Sequence, residues 1–375
     1  MLPRYDSKGQ LIVIGALALA IVLVGLALVL NSAIFAENLA TRATQDESSQ
    51  IAQLEQQAAQ GAAGAMEHHH HTNSSHSTYD DLEDGFGSSI DNRSGVVAQD
   101  TARRGKYVDV DYTRTYTKGT RPAHDGSAFE PQNASALNEI VNITGVDQWV
   151  VTPGASQVGG FRMTVEHSEL APALTRSEAE VYLANLTLGG TTSVTEPPFA
   201  VAYDQNDDGS IDHSVTIYNS SADSADVNIT YRNSQTNTNR TCTVEDPGST
   251  FILDVSNGRV EGNTGDCREV FEFQSNMGPS QLIFVQGDQV AGDYEFIVNE
   301  STGTFETDYN NLLTGTSFDF TDYYTPHPDP PGHGGSYSPS SPYVEPALYS
   351  AEIRLRYRTN RASYNGTRTV VPDKP

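Results

Sequence analysis

Residues 11–30 read LIVIGALALAIVLVGLALVL, with no charge and no hydrogen-bonding side chain. As a helix rising 1.5 Å per residue the run would measure about 30 Å, the thickness of a bilayer's hydrocarbon layer. Nothing later in the chain combines such length and apolarity, so a single membrane span is expected. A cleaved secretory signal is the competing reading, but signal cores are shorter, about 7–15 residues, and no convincing A-x-A site follows this run. Arg4 and Lys8 precede the run and Glu37 follows it. The positive-inside rule then puts the short N-terminus in the cytoplasm and everything after Asn31 outside the cell.

The exported part is strongly acidic. Over 375 residues the formal net charge is −26, from 48 Asp and Glu against 22 Lys and Arg. Such a surface repels nucleic acid and anionic lipid headgroups, which excludes nucleic acid as an expected partner. The only lysines are Lys8, Lys106, Lys118 and Lys374, while Asp recurs through the last two-thirds of the chain. Solubility alone would account for the acidity. Scarce Lys beside abundant Asp favours adaptation to high salt, where screening to a few ångströms makes self-repulsion tolerable.

Exported chains meet oxidising and glycosylating machinery. Cys242 and Cys267 are the only cysteines and lack C-x-x-C spacing, so a disulfide is expected between them. N-x-S/T triplets start at Asn73, Asn92, Asn133, Asn142, Asn185, Asn219, Asn228, Asn239, Asn299 and Asn365, each a candidate glycosylation site.

Lys8-Gly9-Gln10 stands directly before the apolar run. This junction resembles the processing site of archaeal type IV pilins and archaellins, in which a charged residue and Gly precede the cut. The resemblance implies cleavage between Gly9 and Gln10 by a prepilin peptidase, which leaves the apolar helix on the mature protein. Ile14 stands at the fifth mature position, where the bacterial pattern has Glu. The stretch 9–42, including NSAIFAENLATR, and the C-terminal YSAEIRLRYRTNRASYNGTRTVVP are similar to uncharacterised pilin-like membrane proteins of halophilic archaea. That likeness implies a non-catalytic, membrane-anchored surface subunit, built into a filament or accompanying one, with copies of itself or other pilin-like subunits as partners. The alternative is a monomeric tethered module that binds a surface ligand or partner.

Four regions are expected. A cytoplasmic leader, 1–9, precedes a transmembrane helix and stalk, 10–60, because Ala, Gln and Glu dominate 31–60 without Pro or Gly. The apolar spacing in the stalk is too ragged for sustained heptads. Residues 61–95, rich in Gly, Ser, His and Asp, read as a flexible linker. Its His68, His69, His70, His71 and His76 are expected to be solvated rather than metal-bound. From 96 to 375 the pattern is an antiparallel β-sandwich-like ectodomain. HSVTIYN, ADVNITYRN, EVFEFQS, DYEFIVN, SFDFTDY and AEIRLRYR alternate with period two. Asn257-Gly258 signals one hairpin, and QLIFVQG with DYEFIVN reads as another. Thr175 and Glu178 form a capping-box pair opening a helix at 175–184, and a second short helix is expected at 135–141. The Pro/Gly/Ser-rich 325–346 is expected to be an exposed loop.

The sharpest site candidate is Asp204, Asn206, Asp208, Ser210 and Asp212. Oxygen ligands at positions one, three and five, Gly209 at six and an acid at nine match the start of an EF-hand-like calcium loop. Val215 stands where that pattern has a bidentate Glu, and FAVAY and HSVTIY read as flanking strands, so calcium binding is expected to be weak. The alternative is an acidic turn. No HExxH, G-x-S-x-G or triad context surrounds any His, and no Gly-rich phosphate loop follows a strand, so no enzyme activity is expected.

Overall fold

The computed structural model describes residues 26, 30–31, 47–70, 78–141, 143, 145–154, 157–186, 196–205, 208–261, 267–273, 278, 280–326 and 341–372. Gly9, Gln10 and nearly all of the apolar run lie outside them. Leu26 and Leu30, which are described, are helical and more than half exposed. Among the described residues no helix is long and apolar enough to cross a membrane.

The fold is mainly β. One sheet has the order β10 (Arg259–Val260), β9 (Thr250–Asp254), β3 (Val158–Glu166), β12 (Ala291–Val298), β1 (Tyr107–Ala128), β14 (Tyr343–Arg358) and β13 (Thr325–Pro326), with β15 (Ser363–Val370) also on β14. The other runs β2 (Gln148–Thr152), β11 (Ser280–Val285), β5 (Ala200–Gln205), β6 (His213–Ser220), β7 (Val227–Asn233) and β8 (Thr238–Val244), with β4 (Ala173–Leu174) beside β6. Pairing is antiparallel except at β13–β14 and β4–β6. Phe161, Val165 and Phe296 of the first sheet share one buried core with Val201, Ile217 and Phe284 of the second.

Tyrosines finish the edge of the second sheet. The hydroxyls of Tyr309 and Tyr324 donate to the carbonyls of Val150 and Val151 on the edge strand β2, the latter at 2.7 Å. Trp149 of that strand donates through Nε1 to the carbonyl of Phe129 at 2.9 Å. Edge backbone groups left unpaired in a buried place would be costly, and the phenols satisfy them.

Two helices cover the end of the first sheet: α1, at 47–70, and α2, Tyr79–Ala102. Ala59, Ala62, Ala65 and Met66 of α1 recur at helical spacing and pack with Leu82, Phe86 and Ile90 of α2. Opposite them lie Val108 and Val110 of β1 and Ile353, Leu355 and Tyr357 of β14. Thr78 caps α2 by accepting from the Asp81 N–H at 3.2 Å, and Asp80 and Asp81 complement the helix's positive end.

The expected stalk and linker are therefore corrected. Residues 61–70 complete α1 and 79–95 lie in α2, and α1 is docked on the sheet rather than standing free. Gly, Ser and Asp made this segment look unstructured. Leu82, Phe86 and Ile90, four residues apart, bury one stripe, and that burial outweighs the weak helix propensity of the glycines. At Gly87 the missing side chain leaves room for the Tyr112 ring, which would lie 3.3 Å from a Cβ there.

Other local expectations divide. Helix α3, Arg176–Asn185, has both capping-box bonds between Thr175 and Glu178, whereas 135–141 contains only a 3-10 turn at Ala134–Ala136. β9 and β10 form the hairpin marked by Asn257-Gly258, with Gly258 at φ +63°. EVFEFQS is not a strand: Arg268–Phe271 form helix α4, so that Val270, Phe271 and Phe273 reach the core from one helical face. SFDFTDY likewise turns into helix at Phe320–Tyr323, because Asp319 and Asp322 cap it reciprocally.

QLIFVQG and DYEFIVN do not pair with each other. β11 belongs to the second sheet and β12 to the first. Between them Gln286 takes a left-handed φ of +54°, and Gly287 passes against the Phe129 backbone where a Cβ would collide. The exposed excursion expected at 325–346 is shorter: Thr325–Pro326 is β13, Tyr343 and Val344 are buried at the start of β14, and 327–340 lies outside the described residues.

Candidate functional site

β5 and β6 are antiparallel neighbours with Tyr203 opposite His213. The loop between them carries the proposed calcium ligands, flanked by strands as expected. Asp204 and Asp212 are buried, with 1% and 4% of their surface exposed, while Asp208 is exposed. One carboxylate oxygen from each of the three lies within 4.8 Å of the others. Asn206 lies outside the described residues, and Ser210 is an exposed loop residue. The structure thus brings together three of the five candidates.

Backbone N–H groups hold this arrangement. Asp204 accepts through Oδ1 from Asp208 N at 3.2 Å and through Oδ2 from Gly209 N at 2.9 Å. Ser210 N donates to Asp208 Oδ1 at 3.0 Å. Gly209 has φ +82°, a conformation that suits glycine at the reversal. Asp212 Oδ2 accepts from Gln205 N at 2.8 Å, and its Oδ1 accepts from Gln235 Nε2 at 2.5 Å. The three carboxylates direct oxygens toward one another. All-oxygen donors suit a hard ion such as calcium. Val215, at the twelfth position, is buried in β6 and supplies no ligand.

His213 lies beside this loop. Its Nδ1 is 2.8 Å from the Tyr231 hydroxyl, and its ring stacks on Phe273 with centroids 5.0 Å apart. Burial pushes the imidazole's pKa below its ordinary value, opposed in part by the negative charge of Asp212.

A second polar cluster lies where α1 meets the sheet. Arg121 of β1 donates from Nε to Glu295 Oε2 at 3.1 Å and pairs through Nη1 with Glu345. The same Nη1 donates to the backbone carbonyl of His70 at 2.9 Å. His70 Nε2 accepts from Leu348 N at 3.0 Å, and His69 Nε2 is 2.9 Å from Ser89 Oγ. His70 is thus buried in the helix–sheet contact and His69 is partly covered against α2, rather than solvated, whereas His68 is exposed; His71 and His76 lie outside the described residues. Arg162 reaches Glu67 of α1 at 3.0 Å and also pairs with Glu261.

Cys242 and Cys267 form the expected disulfide, which ties β8 to the start of α4 across a Cα–Cα distance of 5.5 Å. Among the sequons, Asn92, Asn299 and Asn365 are exposed. Asn133, Asn185, Asn219 and Asn239 are partly covered, Asn228 is buried and accepts from Thr243 Oγ1 at 2.7 Å, and Asn73 and Asn142 lie outside the described residues.

Residues 5–146 match a family of unknown function, DUF7261. The match takes in the apolar run, α1, α2 and β1 and ends before β2. No curated protein and no solved structure matches the chain.

The His tract pattern pointed to a solvated His70, and nothing in the sequence singled out Arg121; both gain their contacts where α1 meets the sheet. The four-residue spacing of Leu82, Phe86 and Ile90 was the signal that could have revealed that packing.

Proposed function

We propose that this chain is a membrane-anchored cell-surface structural protein, a pilin-like subunit or minor component of a surface filament, with its N-terminus in the cytoplasm and a sandwich-like β domain outside. The docking of α1 carries the reading. This helix follows the apolar run in sequence and is held to the sheet by Ala62 and Met66, by the hydrogen bond from Arg121 to the His70 carbonyl and by the Arg162–Glu67 ion pair. A helix docked on the sheet ties the β domain to the segment that follows the apolar run in sequence, which suits assembly of repeated subunits better than a free linker at 61–95 would. The reading is non-catalytic, with the membrane, a prepilin peptidase and copies of itself or other pilin-like subunits as partners. Weak calcium binding at Asp204, Asp208 and Asp212, with Asn206 and Ser210, belongs to the same proposal.

N-terminal analysis of the protein recovered from membranes tests it. Mature protein should begin at Gln10, and a strain lacking the gene should show altered surface filaments by electron microscopy. Retention of Met1 would reduce the N-terminus to a plain signal-anchor, and a cut beyond Ala33 would remove the anchor altogether. The alternative, a tethered binding module, gains support from a cavity between α1, α2 and the sheet.

A further inference from the structure

The two helices do not close completely on the sheet. Between them lies a cavity of about 390 Å³ whose walls include Leu54 and Ala58 of α1, Ile90 and Val97 of α2, and Val110 and Leu355 of the sheet. That volume falls within the range of small-molecule sites, about 300–1,000 Å³. Empty apolar space of this size forfeits packing contacts along its whole lining. The cavity opens to solvent beside Val96, which is 69% exposed and lines it too. Arg93 also lines the opening, with its guanidinium across Gly61 of α1, where a side chain would collide with Nη1. Among the described residues Arg93 makes no ion pair and no hydrogen bond, although acids outnumber bases 48 to 22 in the chain.

We infer that this cavity binds a single-chain anionic amphiphile, with its alkyl chain between α1, α2 and the sheet and its headgroup at Arg93. The shape of the chemistry decides the class. An apolar interior accepts an alkyl chain and offers little to a sugar or a nucleotide. The cation at the rim selects an anionic head and discriminates against a neutral one. Gln57 and Asn92 line the same pocket and can donate to the remaining headgroup oxygens. The inference holds whether or not the chain assembles into filaments.

The test uses the full chain in lipid vesicles with a diazirine-bearing dodecanoate, followed by peptide mapping of the cross-links. Labelling should fall on α1 around Ala58 and on α2 around Val97, and excess dodecanoate should suppress it. Decanoate and then octanoate should compete progressively less well, by about fourfold per methylene lost. Ala58→Phe, which fills the cavity, should reduce labelling of both helices at least tenfold while labelling of the 11–30 segment stays constant. Arg93→Gln should weaken dodecanoate labelling about threefold, the scale of one exposed ion pair, and leave a diazirine-bearing dodecanol unaffected. Labelling confined to 11–30, or labelling of α1 and α2 that dodecanoate does not suppress, would overturn the site. Equal losses for acid and alcohol in Arg93→Gln would overturn the anionic headgroup. Competition on the wild-type chain decides the matter even if Ala58→Phe does not fold.

Discussion

Arg121 Nη1 donates to the backbone carbonyl of His70 at 2.9 Å, joining the end of α1 to the strand that runs through the first sheet. A cation at a helix C-terminus complements the helix dipole. The same guanidinium pairs with Glu295 of β12 and Glu345 of β14, so one side chain of β1 ties three other elements to its own strand.

Replacing that side chain tests the lock. Arg121 exposes 11% of its side chain, so Arg121→Met removes a largely buried charge from between the Glu295 and Glu345 carboxylates. Breaking a buried pair from one side costs about 3–5 kcal/mol. Chemical denaturation should show a loss of that order, and adding Glu295→Gln and Glu345→Gln should recover much of it. A loss below about 1 kcal/mol would mean that Arg121 is not the lock between α1 and the sheet.

Acid should weaken the packing around His213. Its pKa is depressed in the folded protein, chiefly by burial, so below the ordinary imidazole range the unfolded chain binds more protons. The stability this group contributes is complete above its unfolded value of about 6.5. It is lost as pH falls from there through the folded value. His213→Phe keeps a ring against Phe273 without the titration. Melting profiles of variant and wild type should run parallel above that pH and converge or cross below it; parallel curves throughout would show that His213 is not the acid-sensitive group.

The disulfide closes a loop with a sequence separation of 25. Loop entropy assigns such a cross-link roughly 3 kcal/mol. Cys242→Ser with Cys267→Ser should lower the unfolding free energy by about that amount, read from denaturant curves whose slope steepens because the uncross-linked unfolded chain exposes more surface. Recovery of both thiols free from the native protein would contradict the bond itself.

Calcium is tested at Asp208, the exposed member of the trio. Sites of the weak extracellular kind bind at about 10⁻⁴–10⁻³ M. Calcium at about a hundred times its dissociation constant should stabilise the fold by about 2.7 kcal/mol. The melting midpoint in high salt should rise with calcium for the wild type and stay put for Asp208→Ala. If both rise equally, or neither does, the loop is an acidic turn held by its own backbone.

Local chemistry explains what could be read without coordinates. Thr175 with Glu178 makes its own cap, Asn257-Gly258 makes its own reversal, and Asp204, Asp208 and Gly209 make their own loop. Each uses bonds between residues within about five positions, so the residue types suffice. The disulfide was legible for a different reason: Cys242 and Cys267 had no other thiol to choose.

By itself the sequence determined the strand-rich character of the chain, its acidic surface, its capped helix and turns, and the spacing of three carboxylates on one loop. Only tertiary structure decided that 61–70 and 79–95 are helical, because their weak propensities become favourable when Ala62, Met66, Leu82 and Phe86 are buried together. Only tertiary structure sent β11 and β12 to different sheets, since strand partners are chosen by the shared core and not by proximity along the chain. The cavity at Arg93 and the lock at Arg121 belong to the same class. Each is made where surfaces from distant segments meet, and no local pattern encodes how closely they fit.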